Sequence, residues 1–265
     1  MATFILIRHG RSTANAGGVL AGRSPGVGLD ETGQQQADRV GASLAQVPLA
    51  GVVTSPMQRC RETAEAVLSH QGKARQLAVA EDLTECDYGQ WTGRKIADLA
   101  TEDLWSVVQQ HPSAAVFPGG ESLAGMQARG VAAMRRLDAA IEAEHGSGAV
   151  WAAVTHGDLI KSVLADALGM HLDLFQRIHV HPASASIVRY GTTRPDVVAM
   201  NVSAADLSWL RGPAGDAQVG GEAGPPPAGH AENTGGAQSR EDTSGSRTGA
   251  VPVQQAGAPR TAGGS

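Results

Sequence analysis

A chain of 265 residues with 26 acidic and 21 basic side chains, a net charge of −5 and two cysteines excludes several classes at once. Two cysteines cannot build the disulfide framework of a small secreted domain. The acidic balance argues against a nucleic-acid binder that works by bulk positive charge, and no apolar run approaches the roughly 18 residues of a membrane-spanning helix. The opening stretch Met1-Ala2-Thr3-Phe4-Ile5-Leu6-Ile7-Arg8 lacks the basic region and cleavage site of a secretory signal, so the cytoplasm is the expected compartment.

The nine aromatic residues all lie between Phe4 and Trp209, and the last leucine is Leu210. Residues 212–265 contain no Leu, Ile, Phe, Tyr, Trp or Met. Such a Gly/Pro/Ala-rich segment cannot bury enough apolar area to offset chain entropy and is expected to be a disordered tail. Residues 1–211 are then expected to form the folded domain.

In chain order, residues 3–7 read as a short buried strand, followed by a Gly/Pro-rich loop over 20–28. A helix is predicted over 31–46, with Asp30 or Thr32 as N-cap, and a second strand over 51–54. Ser55-Pro56 predicts an N-cap and a first-turn proline for a helix running to residue 69. A weaker strand is expected at 77–80, a helix at 95–110, a loop at 114–120 and a long helix at 122–144. A strand at 150–154 leads into a helix at 157–168, and two strands, 183–190 and 197–201, close the domain. Strands alternating with helices predict an α/β three-layer sandwich, a largely parallel central sheet with helices on both faces.

Ligands of such sheets bind beyond the carboxyl ends of the strands. Arg8-His9-Gly10 ends the first strand, Thr54-Ser55-Pro56 the second with Arg59 one turn later, and Thr155-His156-Gly157 the fourth. Glu85 follows the weak third strand. Two histidines, two arginines and a glutamate at one sheet edge suit phosphoryl transfer. A neutral imidazole is a competent nucleophile toward phosphorus. Arginines supply fixed charge to the phosphoryl oxygens, so no metal or other cofactor is needed. The start of the helix after His156 favours an anion, and a buried carboxyl can protonate the departing oxygen.

The run Arg8-His9-Gly10-Arg11-Ser12-Thr13-Ala14-Asn15 resembles the signature of the histidine phosphatase superfamily, the phosphoglycerate-mutase-like fold. The resemblance continues through Gly22, Leu29-Asp30-Glu31-Thr32-Gly33, Gln36-Ala37, Ser55-Pro56, Arg59 and Thr63-Ala64. It then takes in Leu83-Thr84-Glu85, Gly119-Gly120-Glu121-Ser122 and Thr155-His156-Gly157. More narrowly, the chain looks like a branch from GC-rich bacteria labelled probable phosphomutase. The resemblance implies that His9 is the phosphorylated nucleophile and that Arg8, Arg59 and His156 form the phosphate pocket, with Asn15 and Gly157 contributing hydrogen bonds. It makes Glu85 the acid and then the base, and residues 86–120 a variable lid over a small phosphorylated substrate.

Arg11 departs from the usual pattern, and with Trp91 and Arg94 is expected to face the substrate from the lid side. His179 and His181, two apart in the stretch that precedes the expected strand 183–190, raise a metal site that lacks a third nearby ligand, so no metal is expected. Cys60 and Cys86 are expected to be buried structural thiols. The short segment after Glu85 offers Arg94 and Lys95 against Asp98, Glu102 and Asp103, which favours a phosphatase over a phosphomutase. A non-catalytic phospho-ligand-binding protein is the remaining reading. No membrane or nucleic-acid partner is expected, and a homodimer is the base-rate oligomer.

Overall fold

A computed structural model of the chain describes residues 2–72 and 77–203. The expectations for the 212–265 tail lie outside the described residues.

Six strands form one sheet in the order β3-β2-β4-β1-β5-β6. They are β1 (Thr3–Arg8), β2 (Leu49–Thr54), β3 (Leu77–Val79), β4 (Val150–Thr155), β5 (Ala185–Tyr190) and β6 (Pro195–Val202). The pairs β3–β2, β2–β4 and β4–β1 are parallel, while β5 runs antiparallel to both β1 and β6. The helices, in chain order, are α1 (Thr13–Ala16), α2 (Glu31–Ser43), α3 (Gln58–Ser69), α4 (Ile96–Leu99), α5 (Asp103–Gln110), α6 (Leu123–His145) and α7 (Gly157–Ala167).

Alternation along the strands builds two cores. Ile5, Ile7, Val52, Ala152 and Val154 pack on one face against Val40 of α2 and Cys60, Ala64 and Val67 of α3. Phe4, Leu6, Val53, Trp151 and Ala153 point to the other face, against Met126, Ala133 and Met134 of α6 and Ile160, Val163 and Leu164 of α7. Successive strand residues face opposite sides, so a sheet covered by helices on both faces must be apolar at every position. This is the expected three-layer sandwich.

Four local expectations need correction. Helix α3 begins at Gln58, not at Ser55-Pro56, and its N-cap, Met57, makes no side-chain cap bond. Ser55 Oγ is used elsewhere: it bonds His156 Nε2 at 2.8 Å and accepts from the Met57 N–H at 3.3 Å. The helix expected over 95–110 is broken into α4 and α5. At the break the Thr101 hydroxyl donates to the Asp98 carbonyl at 2.7 Å, the local side-chain bonding that competes with helix. The helix expected to reach residue 46 stops at Ser43. Strand β5 starts at Ala185 rather than 183, after Ala183 takes a left-handed φ of 55°. Among the described residues no group of three or more His, Cys, Asp or Glu could hold a metal ion. No helix among them is long and apolar enough to cross a membrane.

The strand order sets the carboxyl ends of β1, β4 and β2 side by side. The His9 N–H donates to the Thr155 carbonyl at 3.0 Å, and the Ser55 N–H to the Val154 carbonyl at 3.0 Å. Residues far apart in sequence thereby meet at one sheet edge.

Candidate active site

His9 leaves β1 on a loop held from three sides. The Gly10 N–H donates to Thr63 Oγ1 at 3.0 Å, and the Arg11 N–H to Gln36 Oε1 at 2.8 Å. The backbone of α2 presses directly on this loop: a Cβ on Gly33 would lie 1.9 Å from the Arg11 carbonyl oxygen, and one on Gly10 2.4 Å from that of Gly33. Only glycine permits such an approach. Thr63, Gln36 and Gly33 are therefore fixtures of the His9 loop.

His9, Arg59, Glu85, His156 and Arg8 are almost wholly buried. His9 Nδ1–H donates to the Gly10 carbonyl at 2.7 Å, which leaves Nε2 as the lone-pair nitrogen; Arg59 Nε–H donates to it at 3.2 Å. Arg59 Nη2 donates to the Gly22 carbonyl at 2.8 Å and to His156 Nδ1 at 3.1 Å. That bond makes His156 Nδ1 an acceptor, so its Nε2–H donates to Ser55 Oγ. The buried Nη1 of Arg59 makes no hydrogen bond within the protein. A buried guanidinium with an unmade bond is a ready anion ligand.

Burial, then the charges of Arg59 and Arg8, hold His9 well below an ordinary imidazole; burial and Arg59 do the same to His156. His9 is thus neutral at pH 7 with its lone pair available. Glu85 moves the other way. Burial, then the carboxylate of Asp158, pushes it up to about 7, against the opposing effects of the Cys86 N–H, Arg59 and Arg8. Its carboxyl is available as an acid near neutrality. Glu85 Oε2 lies 3.9 Å from His156 Nδ1.

The cleft is lined by His9, Arg59, Glu85, Ser12 and Asn15 on its polar side. Asn15 Oδ1 accepts from the Ser12 hydroxyl and N–H in a capping box on α1, leaving the amide NH₂ as its remaining donor group. Arg8 is buried outside the lining, with Nη1 donating to the Val180 carbonyl at 2.6 Å. Gly157, buried, opens α7 directly after His156.

The three residues expected on the lid side do not line the cleft. Arg11 is bound by Asp30 at 2.6 Å and Thr32 at 2.9 Å. Arg94 pairs with Glu102, whose other oxygen accepts from Trp91 Nε1 at 2.8 Å. Trp91 is buried, stacked on Trp105 and edge-on to Phe117. Cys60 and Cys86 are buried free thiols, and burial pushes Cys60 up to about 12.

Other residues complete the site without having been assigned a part from sequence. Glu121 Oε1 accepts from Arg129 Nη2 at 2.7 Å, Arg23 Nη2 at 3.0 Å and the Asp87 N–H at 3.0 Å. Arg23 Nε then donates to the Glu85 carbonyl at 2.9 Å, and Arg129 Nη1 to the Thr84 carbonyl at 2.8 Å. The Thr155 hydroxyl donates to the Leu83 carbonyl at 2.7 Å. The segment carrying Glu85 is thus pinned to β4 and α6.

This arrangement, a lone-pair histidine against a buried arginine with a carboxyl of raised pKa in the same cleft, agrees with the family comparison. The model of the histidine phosphatase superfamily, branch 1, matches residues 4–203. The chain belongs to the histidine phosphatase superfamily. Among curated relatives it is 32% identical over 192 residues to a bifunctional protein of Mycobacterium tuberculosis, covering 70% of this chain and 50% of the other. It is also 32% identical over 139 residues to the adenosylcobalamin/alpha-ribazole phosphatase of Salmonella typhimurium, covering 51% and 66%. The probable phosphoglycerate mutase GpmB of Erwinia tasmaniensis is 29% identical, over 69% of this chain and 82% of that one. The chain spans about half the length of the first of these relatives. Among solved structures, Bacillus stearothermophilus YhfR superimposes with a TM-score of 0.69 at 28% identity, covering 77% of this chain and 98% of that one. The superfamily's members include both phosphatases and phosphoglycerate mutases, by the names of these relatives.

Proposed function

We propose that this histidine phosphatase hydrolyses monoesters of a small phosphorylated metabolite through a phosphohistidine on His9. The observation that carries the reading is the convergence of His9 Nε2, the open Nη1 of Arg59 and the buried Glu85 carboxyl, pushed up to about 7, in one cleft.

His9 Nε2 donates its electron pair to phosphorus as the P–O bond to the alcohol breaks. Glu85 gives its proton to the departing oxygen. Arg59 shifts its donors from the His9 and His156 nitrogens to the phosphoryl oxygens, aided by His156, Asn15 and the charge of Arg8. The Nδ1–H bond to the Gly10 carbonyl steadies the positive charge that the ring acquires. In the second half, the Glu85 carboxylate takes a proton from water as that water attacks phosphorus. The N–P bond then breaks, restoring His9 and releasing inorganic phosphate.

Residues 1–211 are the catalytic unit in this reading, with 86–120 as the cover beside the cleft. Two buried free thiols suit a reducing compartment such as the cytoplasm. Hydrolysis of 4-nitrophenyl phosphate by wild type and His9→Ala tests the proposal. Turnover by wild type and none by the variant is expected; equal turnover by both contradicts it. Movement of phosphate within phosphoglycerate, without release of inorganic phosphate, makes the protein a mutase instead.

A further inference from the structure

We propose that the cleft selects phosphomonoesters whose organic part carries no second anionic group. The inference rests on the phosphohistidine reading and deepens it.

Beyond the phosphate-facing residues, the wall of the cleft is Val19, Leu20, Ala21, Ile96 and Tyr88. The tyrosine hydroxyl is committed to Asp158 Oδ2 at 2.7 Å and is no donor to a ligand. Arg59 is the one cationic side chain among the residues lining the cleft, and it offers one open nitrogen. That is enough for a single phosphoryl group and leaves nothing for another anion.

Arg8, next to His9, is buried outside the lining with Nη1 on the Val180 carbonyl, and the arginines near the rest of the wall each have a carboxylate partner. Arg11, beside Ser12, is held by Asp30 at 2.6 Å. Arg23, beside Gly22, is held by Glu121 at 3.0 Å and spends its Nε on the Glu85 carbonyl. Arg94 is held by Glu102, which also anchors Trp91. Lys95 is exposed and outside the lining. A carboxylate or second phosphate laid against Val19, Leu20 and Ile96 would shed water without gaining a counter-charge. It would also face Glu85, which becomes an anion in each cycle. A hydroxylated or apolar organic group meets neither cost.

The matched pair glycerol 3-phosphate and 3-phosphoglycerate differs only by a hydroxymethyl group in place of a carboxylate. Each is measured as a competitive inhibitor of 4-nitrophenyl phosphate hydrolysis, which gives an affinity whether or not it is turned over. The glycerol ester is expected to inhibit at least about tenfold more tightly. Equal inhibition, or tighter inhibition by the acid, overturns the proposal. In Ile96→Arg the same ratio is expected to fall several-fold, because the wall then carries a cation; an unchanged ratio also counts against the proposal. Failure of the phosphohistidine reading shows separately, as aryl phosphate hydrolysis that is absent or independent of His9.

Discussion

Arg59 Nε–H points at His9 Nε2 from 3.2 Å, so in the proposed mechanism the group that neutralises the phosphoryl oxygens also marks the nitrogen that attacks. In the free protein this bond orients the Nε2 lone pair, and the Arg59 charge helps keep the imidazole neutral. Replacement of Arg59 by Ala removes both effects. A fall in kcat/KM of about 10²–10³-fold is expected for aryl phosphate, with Arg59→Lys recovering little because it lacks the fork that serves His9, Gly22 and His156 together. Steady-state kinetics of the two variants check this.

The pH dependence follows from two opposite displacements. The proposed mechanism needs His9 neutral and Glu85 protonated in the free protein. His9 is depressed, so it stays neutral well into the acid range; Glu85 is raised to about 7, so its proton is lost as pH rises through neutrality. For an alkyl phosphate, kcat/KM should therefore fall above about pH 7 and hold below it. Asp158, next to burial the largest cause of the Glu85 displacement, sits between the Tyr88 hydroxyl and Lys161 at 3.6 Å. Asp158→Asn should move the falling limb to lower pH. A limb that stays in place would remove Asp158 from the account.

Glu85→Gln separates the two halves of the reaction. Nitrophenolate leaves without a proton, so the first half survives with 4-nitrophenyl phosphate, whereas water activation is lost. A burst of about one nitrophenolate per enzyme is expected, then turnover slowed by about 10²–10⁴-fold. With an alkyl phosphate no burst is expected. Rapid-mixing absorbance measurements and phosphate release distinguish the cases.

Glu121 touches neither His9 nor the Glu85 carboxyl, yet it gathers Arg23, Arg129 and the Asp87 N–H around the Glu85 segment. It is a positioning residue in this account. Glu121→Ala should lower kcat for alkyl phosphates about tenfold while leaving KM and the rate of the first nitrophenolate release nearly unchanged. A rise in KM with kcat unchanged would assign it to binding instead.

Gly33→Ala tests the backbone contact beneath the His9 loop. The added Cβ has no room beside the Arg11 carbonyl, so stability should fall by about 1–3 kcal/mol, read as a Tm lower by roughly 2–10 °C. An unchanged Tm would mean that the loop is free to retreat.

The sandwich was legible because its strands are short apolar runs and the helices between them carry apolar spacing. His9, Arg59, Glu85 and His156 were legible because each follows a strand end within a recognisable local run. Partnerships across the sheet were not. Arg23 and Arg129 reach the Glu85 carbonyl from 62 and 44 residues away, and no local pattern announces such a bond. Ser55 beside Pro56 reads as a cap because that dipeptide starts many helices; here the hydroxyl is spent on His156, 101 residues away. Trp91 illustrates a different limit. An aromatic in a short loop suits a substrate cover or a core equally well, and only the packing of Trp105 and Phe117 around it decides.

The central claim is the covalent intermediate on His9. Rapid acid-free quenching of enzyme with 4-nitrophenyl phosphate, followed by mass analysis of peptides, measures it directly, most clearly in Glu85→Gln, where the second half is blocked. The account predicts one added phosphoryl group on the peptide containing His9, labile to acid and stable to base, and absent in His9→Ala. A phosphoryl group on any other residue, or steady turnover with none at His9, would contradict it.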